Sequence, residues 1–366
     1  MSDIRDYIDW RGDIEFKNNP FNELDALALT QVVYLPLGEQ VGDGFKDECT
    51  LKKSVRKYFK NHEGKEESLT MLLLNCGDIS RKMMNADRYK DIKFCKFRER
   101  YDQINAIQFA AVTAKISDDT LVVVFRGTDD TLAGWEEDFK LCYMTPMDAQ
   151  IEAAKYLKEV CEEWDGNIVI AGHSKGGNIG IYATMCLSDE NKNKISCIYS
   201  FDGPGFLPKT VACEDYKKTI GKVVSYMPQG SVVGMIMYNS GKILTVKSTG
   251  KGFMQHAVVT WQILGKEFVY EDRFEKGSLI FNECTKKWIT EIETDKIEEF
   301  INKVFALLKS GNMETITEMS SGMPQAIRKI LKSYSALDKN SKKMLRSTLK
   351  EMLKISADTI KNNKKK

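Results

Sequence analysis

Histidine is almost missing from this chain. Only His62, His173 and His256 stand among 366 residues, so chemistry that needs an imidazole base has three candidates. The nine cysteines are scattered, with no Cys-x-x-Cys pair. With so few histidines beside them they form no zinc-like cluster. An odd number of unpaired thiols points to a reducing compartment and free, mostly buried cysteines. No run of about 18 apolar residues occurs, so no spanning helix is expected. Met1 to Trp10 mixes charges and lacks the apolar core of a secretory signal. Together these absences make the cytoplasm the expected location. The net charge of +2, from 54 Lys and Arg against 52 Asp and Glu, makes no case for nucleic acid or an acidic substrate.

What the sequence does have is concentrated between Gly166 and Leu187. The apolar run Ile168 to Ala171 reads as a buried strand. Gly172-His173-Ser174-Lys175-Gly176 follows, and then a helical pattern with small residues at Gly177, Gly180 and Ala183. Gly-x-Ser-x-Gly between a strand and a helix is the context of a nucleophile elbow. A serine on so sharp a turn sits on strained backbone, and the residues two before and two after it crowd together. Glycine at 172 and 176 relieves that crowding. The helix then aims its free N–H groups at the serine. The backbone N–H of Lys175 would be one donor to a developing oxyanion.

The rest of the chain supplies a frame for that turn. Asn22 is expected to cap a helix, with Asp25 three residues on and an apolar stripe from Leu24 to Leu35. Residues 38–68 are polar, with a short basic helix over Leu51 to His62 whose charges read as a solvated face. Leu69 to Leu74 is a short apolar run, and Arg81 to Tyr89 reads as a helix. Strands are expected over Ile92–Tyr101 as a half-exposed edge, Gln108–Ile116, and Thr120–Phe125 as a central, almost fully apolar strand. Trp135 and Asp138 fall on a short helical stretch, and Ala149 to Trp164 is an amphipathic helix. Strand, helix, strand and elbow give a βαβ order and a parallel sheet. Ile195–Phe201, Lys222–Met227, Ile243–Lys247 and Glu267–Tyr270 are the later strands. The fold expected is therefore α/β, an α/β-hydrolase fold with a mostly parallel central sheet.

A serine nucleophile needs a base, and the base needs an orienting acid. His62 lies in a polar insertion. His173 is next to Ser174, where adjacent side chains diverge. His256, in Gly252-Phe-Met-Gln-His256, is left as the base, in the chain order Ser, Asp, His. Asp202 closes the first strand after the elbow helix and is the leading acid; Glu214 and Asp215, in a polar helix-like stretch, are weaker. A plain turn aspartate before Gly203-Pro204 is the other reading of Asp202. The second oxyanion donor is expected at Thr128, after Gly127, with Arg126 and Asp138 forming a buried pair that stiffens this loop. No metal or organic cofactor is called for.

Phe125-Arg-Gly-Thr128 with Trp135 and Asp138, then Gly172-His-Ser-Lys-Gly-Gly177, resembles the class 3 lipases over about residues 108–256. In that family the Thr or Ser after Arg-Gly serves as an oxyanion donor. More of the chain is similar to an uncharacterised bacterial family of lipase-like α/β hydrolases. Its marks are Tyr7-x-x-Trp10-x-Gly12-Asp13, Asn19-Pro-Phe-Asn22, His-Ser-Lys-Gly-Gly-Asn at the elbow, Phe201-Asp-Gly-Pro-Gly205, Pro228-Gln-Gly-Ser-x-Val-Gly234 and Met254-Gln-His256. One departure stands out. Class 3 lipases keep their acid near what is here Pro228 to Val233, and this chain has no carboxylate there. The acid falls one strand earlier, at Asp202, a placement resembling pancreatic-type lipases.

The expectation is thus a serine esterase or lipase-like hydrolase acting on a small-molecule or lipid ester. Ser174, His256 and Asp202 would form the triad, with Thr128 and Lys175 as oxyanion donors. The alternatives are phospholipase, thioesterase or peptidase chemistry on the same triad, or a catalytically weak interaction module. Val232 to Met237 and Phe253-Met254 are candidate acyl-pocket segments, the first also reading as core. Residues 1–278 would form the hydrolase domain, 1–68 being its approach segment and insertion, and 279–366 a helical appendage. The appendage ends in a basic stretch from Lys339 to Lys366. A solvated helix is the preferred reading of that tail, with weak contact at an anionic membrane surface the alternative.

Overall fold

The computed structural model describes residues 2–63, 71–129, 131–311 and 323–364. Eight strands form one sheet in sequence order: β1 (Cys49–Thr50), β2 (Lys93–Asp102), β3 (Ile107–Lys115), β4 (Thr120–Phe125), β5 (Asn167–His173), β6 (Ile195–Phe201), β7 (Val223–Pro228) and β8 (Lys242–Val246). The first four run antiparallel to their neighbours. From β4 to β8 every pair is parallel. That block of five parallel strands, with helices between them, is the α/β-hydrolase arrangement, and it puts the elbow at the C-terminal end of a central strand.

Strand alternation divides the core in two. Val122 and Val124 of β4 and Val169 and Ala171 of β5 face one side. Leu121, Val123 and Phe125, with Ile168 and Ile170, face the other. Because both faces are covered, these strands are apolar at nearly every position. On the first face lie helices Ile4–Arg11, Glu23–Val32, Leu51–Asn61 and Met71–Asn85. On the second lie Asp148–Glu163 and Lys175–Met185. The N-terminal segment is more than an approach to the sheet. Asn22 caps its helix in a reciprocal box with Asp25. Asp25 is fully buried and paired with Arg88 at 2.5 Å, with the Tyr89 hydroxyl donating to it at 2.6 Å.

Several sequence expectations shift in detail. The apolar run at Leu74 and the helix expected from Arg81 belong to a single helix, Met71–Asn85, while Leu69 and Thr70 lie outside the described residues. β2 is not the edge, since the two-residue β1 pairs outside it. Glu267–Phe268 leaves the main sheet and pairs with Ile263–Leu264. The cysteines are unpaired, but four are only partly buried and Cys186 is exposed. Among the described residues no helix is long and apolar enough to cross a membrane. Of the C-terminal helices Lys276–Glu291, Thr294–Lys309, Met323–Ala336 and Lys339–Lys364, the first two and the last share a third apolar cluster built on Ile292, Ile297, Ile301 and Phe305. That cluster reaches the hydrolase part through Trp135 and through Phe139, whose ring lies 5.4 Å from that of Phe305.

Candidate active site

Ser174 ends β5 at φ 56° and ψ −134°, a left-handed region unfavourable for a residue with a Cβ. The surrounding glycines show why the turn can close. A Cβ on Gly172 would lie 2.1 Å from the Gly176 carbonyl carbon, and one on Gly176 would lie 2.2 Å from the Phe125 carbonyl oxygen. The Ser174 N–H donates to the Phe201 carbonyl at 2.9 Å, tying the elbow to the end of β6. The elbow helix continues the tie. Asn178 Nδ2 donates to the carbonyls of Pro204 and Gly205 at 3.2 and 2.8 Å, and Gln150 holds its Oδ1 at 2.8 Å. The turn that follows Asp202 is thereby fixed to the helix that follows Ser174.

Asp202 is completely buried and also has positive φ, 50°, a conformation aspartate tolerates better than most residues. Its Oδ2 lies 2.6 Å from Nδ1 of His256. Its Oδ1 accepts from the Ser231 hydroxyl at 2.5 Å and from the Gly234 N–H at 3.2 Å. The loop after β7, which contains no carboxylate, supplies both of these donors. Glu214 and Asp215 sit apart on helix Glu214–Ile220, where they pair with Lys217 and Lys192.

His256 ends a short 3₁₀ turn, Gly252–His256. Its ring stacks on that of His173, with centroids 4.5 Å apart and planes at 29°. This brings His256 over the residue that precedes Ser174. The Ser174 hydroxyl has no hydrogen-bond partner among the described residues, and Ser174 is 6% exposed. His62 is remote from this cluster; it caps helix Leu51–Asn61 and stacks on Tyr58. Phe253 lies 5.8 Å from the His256 ring and equally far from Trp135, and together with Met254 it is exposed. Of the other candidate acyl segment, Met235 and Met237 are buried.

The loop after β4 closes on the elbow from the opposite side. A Cβ on Gly127 would lie 3.0 Å from that of Ser174, so only glycine allows this approach. Thr128 follows, and its hydroxyl donates to Asp138 Oδ2 at 2.5 Å. Its N–H makes no hydrogen bond among the described residues, and the N–H of Lys175, first in its helix, has no intrahelical partner. Burial pushes the Asp138 carboxyl up to about 6, against the opposing pull of Lys175 and the Thr128 hydrogen bond.

The expected Arg126–Asp138 pair does not form. Arg126 lies opposite Ala110, whose neighbour on β2 is Glu99, and the guanidinium crosses the small alanine to pair with Glu99 at 2.6 Å. The buried cation near Asp138 is instead the side chain of Lys175. Its Nζ donates to Glu137 Oε2 at 2.6 Å and to the Gln108 carbonyl at 2.9 Å, and lies 3.8 Å from Asp138 Oδ1. Glu137 also accepts the Gln108 and Ala149 N–H groups. Gln108 in turn accepts the Asp129 N–H with its side chain. Sequence reasoning used Lys175 only for its backbone. A lysine in the first turn of a helix packed on a sheet must find a buried carboxylate, and Glu137 next to Asp138 was the available signal.

His173, adjacent to Ser174 but not expected to reach it, has partners of its own. Its Nε2 lies 3.0 Å from the His256 carbonyl and its Nδ1 lies 3.2 Å from the Tyr34 hydroxyl. A carbonyl only accepts, so Nε2 carries the proton and the Tyr34 hydroxyl donates to Nδ1. Burial, with His256 adding to it, holds the His173 imidazole well below its usual pKa, so the ring is neutral. Among the described residues no group of three His, Cys, Asp or Glu is placed to hold a metal.

Among solved structures, a Rhizomucor miehei lipase in its propeptide complex is similar at 13% identity and a TM-score of 0.34, over 50% of this chain and 67% of that one. A fungal lipase–inhibitor complex is similar at 12% identity and a TM-score of 0.33, over 62% and 80%. No curated protein matches the chain. The model of one family, described as Mbeg1-like, matches residues 83–306, more than half of the chain. The protein therefore belongs to the Mbeg1-like family, a lipase-like family.

Proposed function

We propose that the protein is a serine hydrolase that cleaves carboxylic esters, small-molecule or lipid, through Ser174, His256 and Asp202. The observation that carries this reading is the 2.6 Å contact between buried Asp202 and His256 Nδ1, beside a serine on strained elbow backbone. An ionised carboxylate only accepts, so it keeps a proton on Nδ1 and leaves Nε2 bare. Ser174 Oγ attacks the ester carbonyl while its proton passes to Nε2, and Asp202 stabilises the imidazolium. The hydroxyl–Nε2 contact that this step needs is one that hydrolase sites commonly tighten on binding substrate. The oxyanion accepts from the N–H groups of Thr128 and Lys175, donors of a kind worth about 10²–10³ in rate each. Collapse expels the alcohol with the proton from Nε2, and water repeats the sequence on the acyl-enzyme.

Trp135, Phe253 and Met254 make the approach to His256 apolar, which favours an apolar acyl or alcohol group. Phospholipase, thioesterase and peptidase chemistry share the same steps and differ in the group that leaves. The test is labelling of the purified protein with a fluorophosphonate, beside Ser174→Ala and His256→Ala, followed by p-nitrophenyl esters of increasing chain length. Labelling that requires both residues supports the reading. A folded wild-type protein that neither labels nor cleaves any ester overturns it.

A further inference from the structure

Charge is distributed unevenly along this nearly neutral chain. Residues 323–366 hold thirteen Lys and Arg against three Asp and Glu, a net of +10, whereas residues 1–322 hold 41 against 49, a net of −8. The helix Lys339–Lys364 carries most of the excess. Its inner face is fixed. Ser341, Leu345, Thr348 and Thr359 are buried, and Met352 and Ile355 pack on the third apolar cluster. Trp288 Nε1 donates to the Met352 carbonyl at 3.0 Å, Lys287 to Thr359 at 3.1 Å, and Asn363 to Glu283 at 2.8 Å.

The outer face is therefore determined as well. At roughly 100° per residue, Leu349, Leu353 and Ile360 fall in one narrow band along it. They are 49%, 61% and 40% exposed, although the helix has an apolar cluster to pack on. All eight Lys and Arg of the helix fall within the same outward sector, roughly 140° wide. Its two acids, Glu351 and Asp358, lie outside that sector. None of the eight cations makes a salt bridge among the described residues; Lys342 and Arg346 hydrogen-bond to Ser335 and Tyr334 of the preceding helix.

We propose that this outer face docks on an anionic phospholipid surface, with the cations on the headgroups and Leu349, Leu353 and Ile360 in the acyl boundary. A solvated helix would account for the lysines but gives no reason for three exposed aliphatic side chains aligned among them. A nucleic acid would meet the charge, yet it has no apolar phase for those side chains and the band holds no aromatic ring to stack on a base. An anionic bilayer interface meets both. The narrow band makes the contact reversible and salt-sensitive.

The test is co-sedimentation of the full chain with vesicles of phosphatidylcholine alone, or with about one third phosphatidylglycerol. Binding to the anionic vesicles is expected to exceed that to neutral ones by at least about tenfold and to fall with added salt. Lys343→Glu/Lys350→Glu/Lys354→Glu should lower it by at least about a hundredfold, at roughly fivefold for each lysine lost before the added repulsion of the glutamates. Leu349→Ser/Leu353→Ser/Ile360→Ser should lower it by about tenfold. All six positions lie on the outward sector, and circular dichroism and melting temperature check that the variants fold. Equal binding to both vesicle types overturns the proposal. So does vesicle binding that survives the triple-serine change, with heparin or RNA competing fully, which would assign a polyanion site. Ser174→Ala should bind vesicles as wild type does, so the result stands apart from the hydrolase reading.

Discussion

His173 and His256 stack at 4.5 Å, and the Nε2 proton of the first is shared with the backbone carbonyl of the second. The residue beside Ser174 therefore holds the backbone of His256, the proposed base. Tyr34 completes the arrangement by donating to Nδ1, which fixes the tautomer. His173→Phe keeps the ring and removes the donor. Esterase kcat is expected to fall by about tenfold, with KM little changed, because the loss lies in placing a base rather than binding substrate. A merely structural role would lower the melting temperature and leave kcat of the folded fraction intact.

Burial also makes His173 and Asp138 oppose each other in stability. His173 titrates well below the unfolded value near 6.5, so the unfolded chain takes up a proton first and stability falls as pH drops through about 6.5. Asp138 is shifted the other way, to about 6, so its contribution is full below the unfolded value near 3.9 and is lost as pH rises through about 6. Wild-type stability should then vary weakly across about pH 4–6.5 with respect to these two groups. Asp138→Asn should steepen the loss on acidification, and His173→Phe should make the protein gain stability there. Chemical denaturation at several pH values reads both slopes; parallel curves for the three proteins would refute the opposition.

Asp202, the proposed triad acid, is held by donors from a neighbouring loop. Asp202→Asn should lower kcat by about 10²–10⁴, since an amide no longer dictates the His256 tautomer. Ser231→Ala leaves Asp202 with the Gly234 N–H as its remaining loop donor. Its cost should be about tenfold in kcat and roughly 1–3 kcal/mol in stability. Ester kinetics and urea unfolding of the two variants separate the contributions.

How much of this was legible beforehand depends on whether a residue acts through a local pattern or across the sheet. The elbow is largely a local pattern, because Gly172 is required by its contact with Gly176 four residues on, although Gly176 is required by the Phe125 carbonyl on the neighbouring strand, and the strand and helix of the elbow are readable from periodicity. The Asn22–Asp25 cap was legible for the same reason. The partner of Arg126 was not, because it depends on the register of β2 against β3, which placed Glu99 across Ala110. The contact of His173 with the His256 backbone was not legible, because elbow geometry separates the His173 side chain from that of Ser174 but says nothing of a loop arriving 83 residues later. The outer band of the last helix was invisible for another reason. Periodicity shows which residues share a face, and only packing shows which face is left out.

The last expectation concerns Lys175 and Glu137, a fully buried ion pair that joins the elbow helix to helix Leu132–Lys140, which follows the Thr128 loop. Lys175→Met removes the cation and leaves Glu137 charged and buried, with Asp138 close by. That should cost about 3–5 kcal/mol, because the remaining carboxylate loses its countercharge. Replacing both residues, as Lys175→Met with Glu137→Gln, removes the uncompensated charge and should recover a good part of that stability. The recovery is not expected to restore activity fully. Lys175 Nζ also holds the Gln108 carbonyl, and the Gln108 side chain holds the Asp129 N–H, so the spacing between the Thr128 and Lys175 donors depends on the same cation. A double-mutant cycle on unfolding free energy should therefore show coupling of about 1–3 kcal/mol, with the double variant stable yet reduced in kcat. Additive single effects on unfolding would mean that the two residues are not coupled, and wild-type kcat in the double variant would mean that the pair stabilises the fold without organising the Thr128 and Lys175 donors.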